Sequence, residues 1–104
     1  MRRIAALAVA VLGAAAIAVT STPANAATGW IDFGDAGSYG CTTWLGRSGN
    51  YSQLHVSCSG KSVAVRVRCT GGALHETGYR SGYNHADCYI PSEGGVDSGW
   101  FSLK

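Results

Sequence analysis

The chain has 104 residues, of which 46% are hydrophobic and only 13% charged, with a formal net charge of +2 at pH 7. Arg2 and Arg3 supply that excess; beyond them Arg47, Lys61, Arg66, Arg68, Arg80 and Lys104 balance Asp32, Asp35, Glu76, Asp87, Glu93 and Asp97, six against six. A neutral domain lacks the basic excess of a nucleic-acid binder and the polybasic patch that holds a protein to an acidic membrane, so neither partner is expected.

The first residues read as a targeting segment. Met1-Arg2-Arg3 is a basic start, residues 4–19 are an alanine- and valine-rich apolar run, and Ala24-Asn25-Ala26 is the small-x-small pattern accepted by signal peptidase. The run is short for a membrane span and has no basic stop-transfer flank. Residues 1–26 are therefore expected to be a cleaved signal peptide and residues 27–104 a secreted, extracellular β-domain of 104 − 26 = 78 residues. A domain of that size buries too little apolar surface to be comfortably stable unaided. Cys41, Cys58, Cys69 and Cys88, all beyond the leader, answer that need in an oxidising compartment.

Residues 27–33 read as a first strand, and residues 34–38 as a turn by composition. Residues 39–45 read as a second strand, with Cys41, Thr43 and Leu45 on one face and Thr42 and Trp44 on the other; residues 46–50 form the next turn. Residues 51–58 and 62–69 read as strands, and from Leu54 on they alternate apolar with polar or small side chains, the period of a half-buried strand. Gly60-Lys61 between them fits a two-residue turn with positive φ at the glycine, predicting a hairpin in which Cys58 faces Val63, Val56 faces Val65 and Leu54 faces Val67. Thr70-Gly71-Gly72 breaks the chain, residues 73–79 read as a short strand or one turn of helix, the strand preferred, residues 80–83 as a loop, residues 84–90 as a strand, residues 91–95 as a long turn and residues 96–103 as the last strand. No segment beyond the leader carries a helical repeat. The expected fold is all-β, a small antiparallel β-sandwich or barrel of about six to seven short strands, with Trp30, Trp44 and Trp100 at least partly in its core.

In the hairpin, Cys58 and Cys69 stand at opposite ends, on the order of 18 Å apart at the usual strand rise, whereas a disulfide wants its Cα atoms within about 7 Å. That excludes Cys58–Cys69 and with it Cys41–Cys88. Of the two remaining connectivities, Cys41–Cys58 with Cys69–Cys88 joins segments closer in sequence, each bridge stabilising by roughly 3 kcal/mol in the chain-entropy model. A zinc or redox role would call for Cys-x-x-Cys spacing, which is missing.

His55, His75 and His85 form no His-x-His or His-Glu-x-x-His motif, so no metal or other cofactor is expected. His85 and Asp87 share a strand face, but no Gly-x-Ser-x-Gly elbow accompanies them, and a chain this short has little room for a catalytic cleft with its supporting shell. The expectation is a non-catalytic binding protein. Two surfaces offer themselves. One is the outward face of the hairpin, with His55 opposite Arg66, Gln53 opposite Arg68, and Tyr51 beyond; its guanidinium groups suit a carboxylate-bearing partner. The other is the segment 79–84, where Tyr79, Arg80, Tyr83 and Asn84 mix with serine and glycine in the composition of a binding loop.

The leader, the short β-domain with cysteines ending strands and the closing Gly99-Trp100-Phe101 together resemble small secreted proteins of actinobacteria, a broad group that implies no assigned activity. Tyr51-Ser52-Gln53 is similar to part of the inhibitory segment of the small bacterial amylase inhibitors, which are two-disulfide β-sandwiches pairing neighbouring cysteines; their Trp-Arg-Tyr triplet has no counterpart, since Trp44 is followed by Leu45 and Gly46. The expected function is thus extracellular binding, by a monomer, of a protein or of a cell-wall or carbohydrate ligand. Inhibition of a secreted hydrolase is the alternative, and a small secreted enzyme or toxin the third reading. Processing after Ala26 predicts an intact mass for the secreted protein that begins at Ala27; a mass that includes residues 1–26 would refute it.

Overall fold

The computed structural model describes residues 26–104; the expected leader, apart from Ala26, lies outside the described residues. The described chain runs β1 (Ile31–Asp32), a 3-10 helix (Phe33–Tyr39), β2 (Cys41–Ser48), β3 (Tyr51–Cys69), β4 (Leu74–Glu76), β5 (Arg80–Tyr89), a single helical turn (Ile90–Glu93) and β6 (Val96–Leu103). All six strands belong to one curled antiparallel sheet, ordered β1–β6–β3–β2, with β4 and β5 also paired to β3. Among the described residues no helix is long and apolar enough to cross a membrane.

The expected hairpin at Gly60-Lys61 does not form. Residues 51–69 are one 19-residue strand, and Gly60, at φ +76°, sits inside it. Both arrangements satisfy the same burial pattern. Leu54, Val56 and Cys58 are buried at even positions, and Val63, Val65, Val67 and Cys69 at odd ones. A hairpin turn would produce that phase change, and so does the irregularity actually present, where Ser57 pairs Tyr83 and Ser62 pairs Ser81 so that four residues of β3 face one of β5. Extra residues on one strand bend it and raise its twist. Gly60 and Gly82, the latter also at φ +76°, supply the left-handed backbone that this corner requires on both strands.

The corner gives β3 two halves with different neighbours. Residues 51–57 lie between β2 and β5; residues 63–69 lie between β6 on one side and β4, at Arg66 to Arg68, on the other. The two inner faces meet. A Cβ on Gly99 of β6 would collide with Leu54 Cδ2, and the Val96 N–H donates to Ser52 Oγ at 3.2 Å. The core between them is Leu54, Val56, Val63, Val65 and Val67 with Ala86, Phe101, Leu103 and all four cysteines. One buried polar side chain crosses the corner: the Asn84 amide donates to Val63 O, Gly78 O and Thr77 Oγ1 at 2.8–2.9 Å, and its oxygen accepts the His85 N–H.

The disulfides are Cys41–Cys58 and Cys69–Cys88. The first joins directly opposed residues of β2 and β3, Cα atoms 4.4 Å apart. The second joins the end of β3 to a residue of β5 that pairs with Ser52, near the start of β3, so it clamps the closed curl. Cys58 and Cys69 are indeed kept apart, along a continuous strand and not across a hairpin.

Other expectations shift by smaller amounts. The first strand shrinks to Ile31–Asp32, because Asp32 caps a 3-10 helix by accepting the Gly34 N–H at 2.9 Å. The strand expected over residues 39–45 runs to Ser48, and Gly49-Asn50 is the two-residue hairpin turn, Gly49 at φ +58°. The expected loop at 80–83 is the first part of β5, the expected turn at 91–95 begins with one helical turn, and the last strand is as expected. Two of the three tryptophans are not core: Trp30, just before β1, and Trp44, on the outward phase of β2, are exposed, while Trp100 is half-buried.

Gly99→Ala forces a methyl into a packed side chain and should cost about 1–3 kcal/mol, and Leu54→Ala about 2–5 kcal/mol. Since the new methyl would occupy the vacated space, the double variant should lose less than the sum. Urea melts of the four proteins measure this; strict additivity would mean that the two halves of β3 do not pack against one another.

Candidate functional site

The outward face of β2–β3–β5 carries the densest set of chemically capable side chains. The register sets Trp44, His55 and His85 side by side across three strands, with Gly46, Gln53 and Asp87 in the next row and Ser48, Tyr51 and Tyr89 beyond it. Tyr83, opposite Ser57, completes the other end. Side chains two residues apart share a face of a strand, so three strands in fixed register yield a grid.

Trp44 and His55 have ring centroids 5.0 Å apart and planes 6° from parallel; Tyr83 is 5.9 Å from His55 at 21° and 6.2 Å from Trp44 at 26°. Three nearly parallel rings whose centroids form a triangle make a shingled layer, not a pillar. Tyr83 Oη and His55 Nδ1 are 2.6 Å apart, so the phenol and imidazole join edge to edge. Gly46 leaves room for the imidazole, since a Cβ there would lie 2.9 Å from His55 Nε2. His85 closes the group at 5.7 Å from His55 and 6.1 Å from Tyr83. Asp87 Oδ1 lies 2.7 Å from His85 Nδ1 and accepts from Gln53 Nε2 at 3.2 Å. With the Nδ1 proton directed at the carboxylate, His85 Nε2 becomes an acceptor. Tyr51 and Tyr89 form a second aromatic pair, centroids 5.3 Å apart. Exposure decides that these rings are surface: Trp44 43%, Tyr51 45%, Tyr89 39% and Tyr83 37%.

The sequence-predicted residues divide. His55 and Tyr83 come together here. Arg66 and Arg68 do not face His55 and Gln53; they belong to the other half of β3, because the hairpin that would have opposed them is absent. The Arg66 guanidinium is occupied: Nε donates to Glu76 Oε2 at 2.8 Å, Nη2 pairs with the same oxygen, and the group lies 4.3 Å over the Trp30 ring. Arg68 is exposed beside Leu74 and Ser98. Tyr79 binds Ser102 Oγ at 2.7 Å and lies under the Lys104 ammonium. Arg80 is exposed at the corner, whereas Asn84 is buried and spends its amide on the fold. Trp44, His85 and Asp87 were missed as site residues. The signal was in the alternation, since Trp44 shares a face with Thr42 and not with the inward Cys41.

Cys69, His75 and Glu93 bring donor atoms within 4.8 Å of one another, but Cys69 Sγ is bonded to Cys88 and offers no thiolate to a metal. Glu93 instead accepts the Tyr89 N–H at 2.7 Å and pairs with His75 Nε2 at 2.8 Å, which together hold its carboxyl below the usual range. No family model, no curated protein and no solved structure matches this chain.

Burial lowers the pKa of His55 from its ordinary 6.5, and the neighbouring His85 lowers it further, against a smaller upward pull from Asp87. A base whose folded pKa lies below its unfolded value binds its proton less readily when folded. The stability it contributes is therefore complete above pH 6.5 and is lost as pH falls through the folded pKa. Following the ring Cε1–H by NMR, His85→Gln should raise the His55 pKa and Asp87→Asn should lower it; opposite directions would contradict this account of the cluster.

Proposed function

We propose that the protein is a secreted, non-catalytic binding module whose ligand docks on the outward face of β2–β3–β5. The observation that carries this reading is the exposure of four aromatic side chains on one strand-built face, with histidines, a carboxylate and an amide between them. Rings with one apolar face and a polar edge are enriched where proteins bind, because they supply area at low entropic cost. Secretion is supported by the two disulfides, which persist in oxidising compartments, and by the signal-like leader of the sequence. A binding role without catalysis is supported by the form of the face, an open sheet and not a cleft that would exclude water from a reaction.

Docking against a secreted hydrolase is the second reading. It is favoured by Tyr51 and Gln53, which lie on this face and carry the similarity to the amylase inhibitors. Loss of hydrolase activity on mixing distinguishes it.

Trp44→Ala and Tyr83→Ala should each weaken capture on immobilised cell-wall material by about 2 kcal/mol, the scale of an interface hot spot. Their melting curves should change little, because both rings are surface residues. Trp30→Ala, remote from the face, should leave capture unchanged. If all three variants are captured alike, the face is ordinary surface.

A further inference from the structure

Resting on that reading, we infer that the ligand of the β2–β3–β5 face is an extended, uncharged, β-linked glycan lying along the strands. Charge narrows the choice first. None of the six lysines and arginines of the domain lies on this face; its acidic and basic side chains are His55, His85 and Asp87. Asp87 is already engaged by His85 and Gln53. An acidic polymer would find no lysine or arginine there, and a basic one would meet a single, occupied carboxylate. The complement of such a face is a neutral ligand with apolar faces and hydrogen-bonding edges, which is the chemistry of a pyranose ring. Its C–H faces pack on aromatic rings and its hydroxyls donate and accept around the rim.

The layout of the rings narrows it further. Trp44, His55 and Tyr83 form one platform and Tyr51 with Tyr89 a second, four residues further along β3, or about 13 Å at the strand rise. That gap exceeds the distance between the first and third rings of an extended β-1,4-linked chain, so three units reach one platform and a longer chain reaches both. The floor between the platforms is the row Gly46, Gln53 and Asp87, with the His55 imidazole packed against Gly46. The groups that flank this floor suit hydroxyls: His85 Nε2 as an acceptor, and Asp87 Oδ2 and Gln53 Oε1, which have no partner among the described residues. A pocket lined by Thr28, Tyr39, Lys61, Leu103 and Lys104 lies elsewhere. Two aromatic platforms in line along one sheet face take an extended ribbon, the shape of a β-1,4-linked chain, and not a compact or branched end group.

The test is calorimetric titration of the oxidised protein with trioses and hexaoses of β-1,4-linked N-acetylglucosamine and of β-1,4-linked glucose, with a hexameric galacturonate as the acidic control. At least one neutral hexaose should bind, its triose at least tenfold more weakly, and the galacturonate not at all. Trp44→Ala should abolish binding of both lengths. Tyr51→Ala and Tyr89→Ala should bring the hexaose towards the affinity of the triose and leave the triose unchanged. The inference is overturned if no neutral oligosaccharide binds at millimolar concentration, if galacturonate binds equally well, or if the tyrosine variants leave the length dependence intact. The broader reading fails separately. Should the oligosaccharides not bind while Trp44→Ala still abolishes capture of a protease-sensitive partner, the face is a binding site for protein and only the glycan assignment falls. Should Trp44→Ala affect neither, both fall.

Discussion

Everything in this domain depends on one strand keeping its inward side apolar while changing direction. β3 pairs with every other strand but β1, so its inner row of Leu54, Val56, Val63, Val65 and Val67 is at once the floor and the roof of the core. A straight strand of this length cannot bury one face against itself. The bend at residues 58–61 turns the second half over the first, and the change of phase there keeps the apolar side inward on both arms. A polar residue at position 63 or 65 would remove part of both layers together. The small hydrophobic interior this leaves explains why two covalent clamps are needed, one beside the corner and one at the open end.

Much of the fold was legible because burial writes a period of two into a strand. The faces of residues 54–58 and 63–69 follow directly from it, as does the outward direction of Trp44. What the pattern does not encode is why the phase changes. A two-residue turn and a bulged corner both move the apolar row from even to odd positions, and glycine with positive φ serves either. Choosing between them needs the partner strands: β2 and β5 already occupy both edges of residues 51–57, so no edge is left for residues 62–69. That is tertiary information, and a local reading of Gly60-Lys61 cannot contain it. The disulfide pairing is the same in both arrangements, because each leaves Cys58 at the corner and brings Cys69 to the far end of the first arm, near Ser52.

The site was half legible for the same reason. His55 is legible as an outward residue of a strand and Tyr83 as part of a tyrosine- and glycine-rich segment, but the arginines set opposite His55 and Gln53 belonged to the hairpin that is not there. Once Arg66 is across from Glu76 and over Trp30, what remains beside His55 is aromatic and free of arginine, and the character of the face changes from acid-seeking to ring-stacking. Trp44 was expected at least partly in the core, although its own strand alternation pointed outward. In a domain with so little interior, valine and cysteine fill the core, and the largest rings are free for the surface.

The way the sheet is assembled has a consequence for maturation. β2 and β3 are joined by a two-residue turn and can meet early, bringing Trp44, His55, Gln53 and Tyr51 together. Tyr83, His85, Asp87 and Tyr89 arrive on β5, whose pairing with β3 bridges a sequence separation of 34 residues at Gln53 and Asp87. Contacts so distant in sequence form late, and Cys69–Cys88 secures them. The outward grid is therefore divided between an early and a late element, with the second disulfide marking completion. A chain in which Cys69–Cys88 had not yet closed would hold the first column and the middle one without the clamp on the third, so the outward grid and the covalent structure are completed together.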